Sequence, residues 1–209
     1  MLKLYSKKKV KRLLAGYAAW IEQVSACTGV PAACIRAVLS QEMCDIDLMD
    51  PVADLAVRFY WLRWRLRVGR TPRLLRGALG KKDSSTGFGQ IFAYVAIRAL
   101  NFAESRGLPA CDWLGLADAR QLREDRDEDR QWMWTLLHRD QKANILLSAL
   151  NLLAAAEEMT GRRDFAALSP EELQLTFTRY NANVRHITAY GRRVYARLTE
   201  EQAAEAAAL

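Results

Sequence analysis

Ile35, Val38 and Leu39 stand at i, i+3 and i+4, and Glu42 continues the series at i+7. On a helix those positions share one face, so the Glu42 carboxyl falls at the end of an apolar stripe. Carboxylates rarely occupy such places, because desolvation favours the protonated form. A half-buried Glu that keeps its proton near neutral pH can protonate a glycosidic oxygen. An ion-paired Glu closing a helix fits the same spacing.

A second group runs Ser84-Ser85-Thr86-Gly87-Phe88-Gly89-Gln90-Ile91, directly after Asp83. Two glycines flanking an aromatic let a ligand approach the backbone, while the hydroxyls and the amide offer hydrogen bonds to a sugar. It is not a phosphate loop, since no Gly-Lys-Ser/Thr follows and no strand clearly precedes it. The third group, Arg179-Tyr180-Asn181, ends an apolar helical run containing Leu173, Leu175 and Phe177. There the Tyr-Asn pair suits a binding site and a helix C-cap equally.

These groups need a scaffold, and composition points to helices. In 209 residues, 51% are hydrophobic and 26% charged, with only 11 Gly and 5 Pro. That is enough apolar material for one domain's core, and too few turn formers for a β-sandwich or barrel. Helical periodicity predicts blocks at about 10–27, 31–44, 51–68, 91–106, 117–137, 140–159, 169–180 and 185–208. Thr28-Gly29-Val30-Pro31 separates the first two, with Pro31 in the first turn of the second helix. In 63–68 arginines alternate with Trp64, Leu66 and Val68, which also suits a strand; the spacing of Ala56, Phe59, Tyr60 and Arg63 favours helix. Residues 80–90 read as a polar loop. The expected organisation is a basic segment 1–16, a single domain over 17–198 with a Trp/Arg-rich insertion at about 48–82, and a helical tail at 199–209.

Thirty-one Lys+Arg against 24 Asp+Glu give a net charge of +7. Seven Arg and two Lys, with no acid, lie between Asp54 and Asp83. Such an excess suits an anionic partner: nucleic acid, a membrane surface or an acidic wall polymer. Cys27, Cys34, Cys44 and Cys111 form no C-x-x-C, and His138 and His186 lie outside any H-E-x-x-H, so no zinc site is expected. The cysteines read as free thiols; Cys27 and Cys34, seven apart, have the spacing of one helix face, where unpaired burial is the expected reading. Asp125, Asp127 and Asp129 are spaced like a calcium loop, but Arg130 and Leu136 occupy its Gly and Glu positions. The charged run there reads as a solvated helix face. Leu13 to Ile21 follows a basic start and precedes Val24-Ser25-Ala26-Cys27, as in an export signal, yet Glu22 and Gln23 interrupt the apolar run. An amphipathic helix is expected instead of a signal peptide. No stretch approaches the roughly 20 apolar residues of a spanning helix.

Taken together and in order, these pieces resemble the lysozyme-like superfamily, above all lytic transglycosylases and goose-type lysozymes. Ile21 to Glu42 is similar to the segment leading to that family's catalytic Glu. Ser-x-x-Gly-x-Gly-Gln-Ile is similar to its second motif, and Asp140 to Leu153, with Asn144-Ile145, to its third. Tyr180-Asn181 and the following Tyr190-Gly191-Arg192-Arg193-Val194 resemble the fourth and its trailing helix, so the likeness spans about residues 17 to 198. Three departures stand out. Gly-Phe-Gly replaces the usual Gly-Leu-Met before Gln90, about forty residues separate Glu42 from the second motif, and Asn183 replaces a common Gly or Ser.

The resemblance implies a mainly α, lysozyme-like domain with little or no β-structure near its cleft. The implied reaction cleaves the β-1,4 bond between N-acetylmuramic acid and N-acetylglucosamine in peptidoglycan, with Glu42 as acid. A lytic transglycosylase reuses that carboxylate as base and needs no metal or cofactor; a hydrolase needs a second carboxylate, and Asp83 is the first candidate, ahead of Asp45 and Asp47. Ser84, Ser85 and Gln90 are expected to bind sugar, Phe88 to stack on a ring, Tyr180 to lie against Glu42 or the glycan, and Asn181 to fix its loop. Residues 58–76 offer contact with an anionic surface, or pack Trp61 and Trp64 inward with arginines outward. No specific protein partner is deducible. The site of action is the cell wall or periplasm, reached through a lysis pore or specialised secretion. A different reading makes the chain a non-enzymatic basic helical protein, with Trp, Tyr and Arg at 58–70 stacking on nucleic acid.

Overall fold

The structure, a computed structural model, describes residues 3–66, 81–116 and 122–206. Among them there are ten α-helices and no strand. They are α1 (Lys7–Ala15), α2 (Ala18–Thr28), α3 (Ala32–Asp45), α4 (Met49–Arg65), α5 (Ala93–Ser105), α6 (Ala110–Trp113), α7 (Asp127–Arg139), α8 (Gln141–Thr160), α9 (Pro170–Asn181) and α10 (Ala189–Ala206). A 3₁₀ turn, Phe165–Ala167, precedes α9.

The centre is α8. Ile145, Leu147, Leu150 and Ala156 are fully buried, as are the polar Asn144 and Ser148. A helix apolar on nearly every side must be surrounded, and α2, α3, α5, α7 and α9 all pack on it. Its ends are fixed locally. The Asp140 carboxylate accepts from the backbone N–H of Lys142 and Ala143, and Gly161 closes the other end at φ 72°. Pro170 opens α9 behind a capping box in which the Ser169 and Glu172 side chains exchange bonds with each other's backbone N–H.

Several expected boundaries move. The block 10–27 is two helices broken at Gly16-Tyr17, and α1 packs on α3 through buried Val10 and Leu14, so the basic start carries a structured helix. Cys27 and Cys34 fall on different helices, because Gly29 ends α2 at φ 75° and Pro31, extended, leads into α3. All four cysteines are free thiols, and burial pushes Cys34 up to about 12. The segment 63–66 continues a helix, not a strand; Trp61 is buried but Trp64 is exposed. Residues 67–80 and 117–121, where parts of the insertion and of the block 117–137 were expected, lie outside the described residues.

The charged run at 124–130 is solvated apart from Asp129, and only its second half is helical. Residues 124–126 precede α7, whose first turn holds Asp127, Glu128 and Asp129 against the helix's positive end. Asp129 is buried and accepts the Arg123 N–H at 3.0 Å. Among the described residues no cluster of His, Cys, Asp and Glu could hold a metal, and no helix is long and apolar enough to cross a membrane.

Candidate active site

Glu42 lies in the last turn of α3, 6% exposed, on the same buried face as Ile35, Val38 and Leu39. The Tyr190 hydroxyl donates to its Oε1 at 2.5 Å, and the Asn181 side chain also hydrogen-bonds the carboxyl. Burial outweighs both bonds and pushes the Glu42 pKa up to about 8, with the nearby negative charges of Asp45 and Asp50 adding to the rise. The result is a carboxylic acid still protonated at neutral pH. The Tyr190 hydroxyl, buried beside it, is held well above the ordinary tyrosine range.

Close packing delivers Tyr190 to this point. A Cβ on Gly191 would lie 2.2 Å from Thr178 Oγ1 and 2.4 Å from the Gln174 carbonyl oxygen. Only a glycine lets α10 cross α9 that tightly, and the crossing lays the preceding tyrosine over the end of α3. Further along, Arg197 donates to the Gln41 Oε1 and to the Ser40 hydroxyl, tying α10 to α3 beside Glu42.

The loop 84–91 is held mainly from behind. The Asn144 side chain accepts from the Gly89 N–H at 2.8 Å and donates to the Thr86 carbonyl at 2.9 Å. A Cβ on Gly87 would fall 2.1 Å from Asn144 Nδ2, and one on Gly89 would fall 1.9 Å from Ser148 Oγ. Tyr180, buried at the end of α9, donates to the Gly89 carbonyl at 2.7 Å. The two glycines thus let the backbone approach α8 and Tyr180 as well as any ligand.

Most of the loop's other side chains are committed within the protein. Ser84 is buried, donates to Asp54 Oδ1 at 2.7 Å and accepts the Trp134 indole N–H at 3.0 Å. Thr86 donates to the other Asp54 oxygen at 3.0 Å, and His138 Nδ1 lies 3.2 Å from that oxygen. This network pins the loop to α4 and α7. Ser85 donates to Gln90 Oε1, whose amide donates back to the Gly87 carbonyl, closing the turn with Gln90 at φ 43°. Phe88 is half-buried, edge-on to Tyr17 at 5.4 Å, with its backbone N–H bonded to Gln141.

Asp83 caps α5. Its two oxygens accept the Ala93 and Tyr94 N–H groups at 3.1 and 3.3 Å, while burial holds its pKa up at about 6. Asp45 accepts from Gln41 and from Lys3, which bonds its backbone carbonyl, and Asp47 turns back on the Met49 N–H.

Between α5, α8 and the end of α9 runs a cleft of about 530 Å³, walled by Phe92, Val95, Phe102 and Ala154, with Arg98, Glu158 and Asn183 at its polar edges. Tyr180 and Asn181 also line it; Glu42 does not. Asn181 therefore belongs both to the cleft and to the carboxyl's own hydrogen bonds.

Of the expected residues, Glu42 and Asn181 come together, Tyr180 stands between them and the loop, and Ser84 and Asp83 turn toward the scaffold. Tyr190 and Asn144 were not singled out as site residues. Tyr190 follows His186, Ile187, Thr188 and Ala189, where no apolar run marks it, and figures only within the resemblance, whereas Asn144 is signalled by an amide on a largely apolar helix. No protein-family model, curated protein or solved structure matches this chain.

Proposed function

We propose that the chain cleaves the β-1,4 bond between N-acetylmuramic acid and N-acetylglucosamine in peptidoglycan, within a lysozyme-like helical domain, with Glu42 as general acid and base. The observation that carries this reading is a carboxyl group that closes a buried helix face, stays protonated to about pH 8, and is bonded by Tyr190 and by the cleft residue Asn181. The order of the surrounding motifs along the chain supports it.

Glu42 donates its proton to the bridging oxygen as the C1–O bond breaks and positive charge develops on the ring. The Tyr190 O–H then stabilises the carboxylate left behind. That carboxylate removes the proton from the muramic acid's C6 hydroxyl, whose oxygen closes on C1 to give the 1,6-anhydro product. Glu42 ends protonated, as it began. Transglycosylation is favoured over hydrolysis because Asp83, the first candidate for a water-activating base, has both oxygens engaged by the start of α5. Action at the cell wall or periplasm follows from the substrate.

The test is digestion of purified peptidoglycan by wild type and by Glu42→Gln, with fragments read by mass spectrometry. Anhydro-muropeptides from the wild type alone are expected. Fragments heavier by one water overturn the transglycosylase assignment in favour of a lysozyme, and the absence of Glu42-dependent fragments overturns the enzyme reading. Salt-sensitive nucleic-acid binding that survives Glu42→Gln, without glycan cleavage, favours the basic binding protein instead.

A further inference from the structure

One face of α4 is open. Leu48, Val52, Leu55, Phe59, Leu62 and Leu66 recur every three or four residues along the helix and its two ends, and each is 49–62% exposed. At about 100° per residue they occupy an arc of roughly 80° on the helix. The opposite side holds the buried Val57 and Trp61, and no other described helix packs extensively along α4. Scattered exposed apolar side chains are ordinary; a continuous seam of six is not.

Charge says what covers the seam. The exposed Arg58, whose guanidinium also contacts the His138 ring, and the exposed Arg65 border it on one side, with the half-buried Arg63 on the other. The helix has no acid after Asp54, which is occupied by Ser84 and Thr86. A second copy laid seam to seam brings arginines against arginines along the edges. An anionic surface complements the exposed Arg58 and Arg65 edge.

We infer that α4 is a membrane-surface helix that docks the chain on a bilayer rich in anionic phospholipid. The leucines and Phe59 enter the boundary between head groups and acyl chains. The arginine stems run along that boundary and their guanidinium groups reach phosphate. The helix lies in the plane of the surface and does not cross it. Docking in this way requires nothing of Glu42.

The test is co-sedimentation of the full chain with vesicles of phosphatidylglycerol and phosphatidylethanolamine, and with vesicles of phosphatidylcholine alone. Light scattering is recorded on the same protein without lipid. Binding to the anionic vesicles, weakened by salt, is expected. Leu55→Ser, Phe59→Ser and Leu62→Ser combined should lower it by roughly tenfold or more, with an unchanged helical melt. Arg58→Gln with Arg65→Gln should remove the preference for anionic lipid. Failure to bind anionic vesicles, or equal binding to both kinds, overturns the inference. So does a dimer in solution that the triple variant dissolves while vesicles leave it untouched, which assigns the seam to a second copy. Should the triple variant fail to melt like the wild type, the arginine pair and the salt dependence of the wild type decide.

Discussion

The Glu42 carboxyl keeps its proton because ionising it beneath α10 costs more than Tyr190 and Asn181 return. Its pKa rises on folding from 4.5 to about 8, so between those values the folded chain binds more protons than the unfolded one. Stability attributable to this group is therefore intact below pH 4.5, is lost progressively as pH rises, and is fully lost above about 8. Glu42→Gln removes that loss, and its melting temperature should exceed the wild type's by roughly 5–10 °C at pH 9, with the gap closing toward pH 4.5. Thermal denaturation across that range measures it. The same proton sets the expected activity profile: glycan cleavage should fall on a basic limb near pH 8. Because the Tyr190 bond lowers the Glu42 pKa, Tyr190→Phe should move the limb upward, seen as a displaced pH–kcat/KM curve; an unmoved limb would separate Tyr190 from the proton. Glu42 was legible in the sequence because its position in the stripe is a local fact. Its main partner was not, since the contact spans 148 residues and depends on how two helices cross.

Two glycines govern how the helices meet around the site. Gly191 brings α10 onto α9, and Gly89 brings the loop onto Ser148 and Tyr180. Gly89→Ala should cost about 1–3 kcal/mol in chemical denaturation, since its methyl group would overlap Ser148 Oγ and crowd the Tyr180 hydroxyl. Asp83→Ala should cost about 1 kcal/mol through the uncapped start of α5, and if Asp83 only caps, the anhydro product should still form. Helix positions were read well where apolar periodicity was unbroken, as in α3, α8 and α9. They failed where the pattern runs on across a break: Gly16 divides α1 from α2 although apolar residues continue on both sides. The run of acids before Arg130 departs from its reading at one residue. Its composition suits a solvated helix, but Asp129 turns inward to the Arg123 backbone.

Cohesion of the molecule comes chiefly from α8, on which five other helices converge. Leu147 is wholly buried at its middle, and Leu147→Ala should destabilise the protein by about 2–5 kcal/mol. A single denaturant transition, in which helical signal and tryptophan fluorescence move together, is the expected form of that loss. The all-helical class was legible from the scarcity of Gly and Pro, while the surface seam on α4 was hidden in a block whose tryptophans and arginines drew the reading. One connection reaches furthest. Glu42 lies in the first quarter of the chain, yet Tyr190 arrives from 148 residues later and Arg197 joins Gln41 across 156. As the chain emerges from the ribosome, α3 is finished long before its cover exists. The acid spends most of its synthesis bathed in water with an ordinary carboxylate pKa, and it acquires its held proton only when the last helix closes.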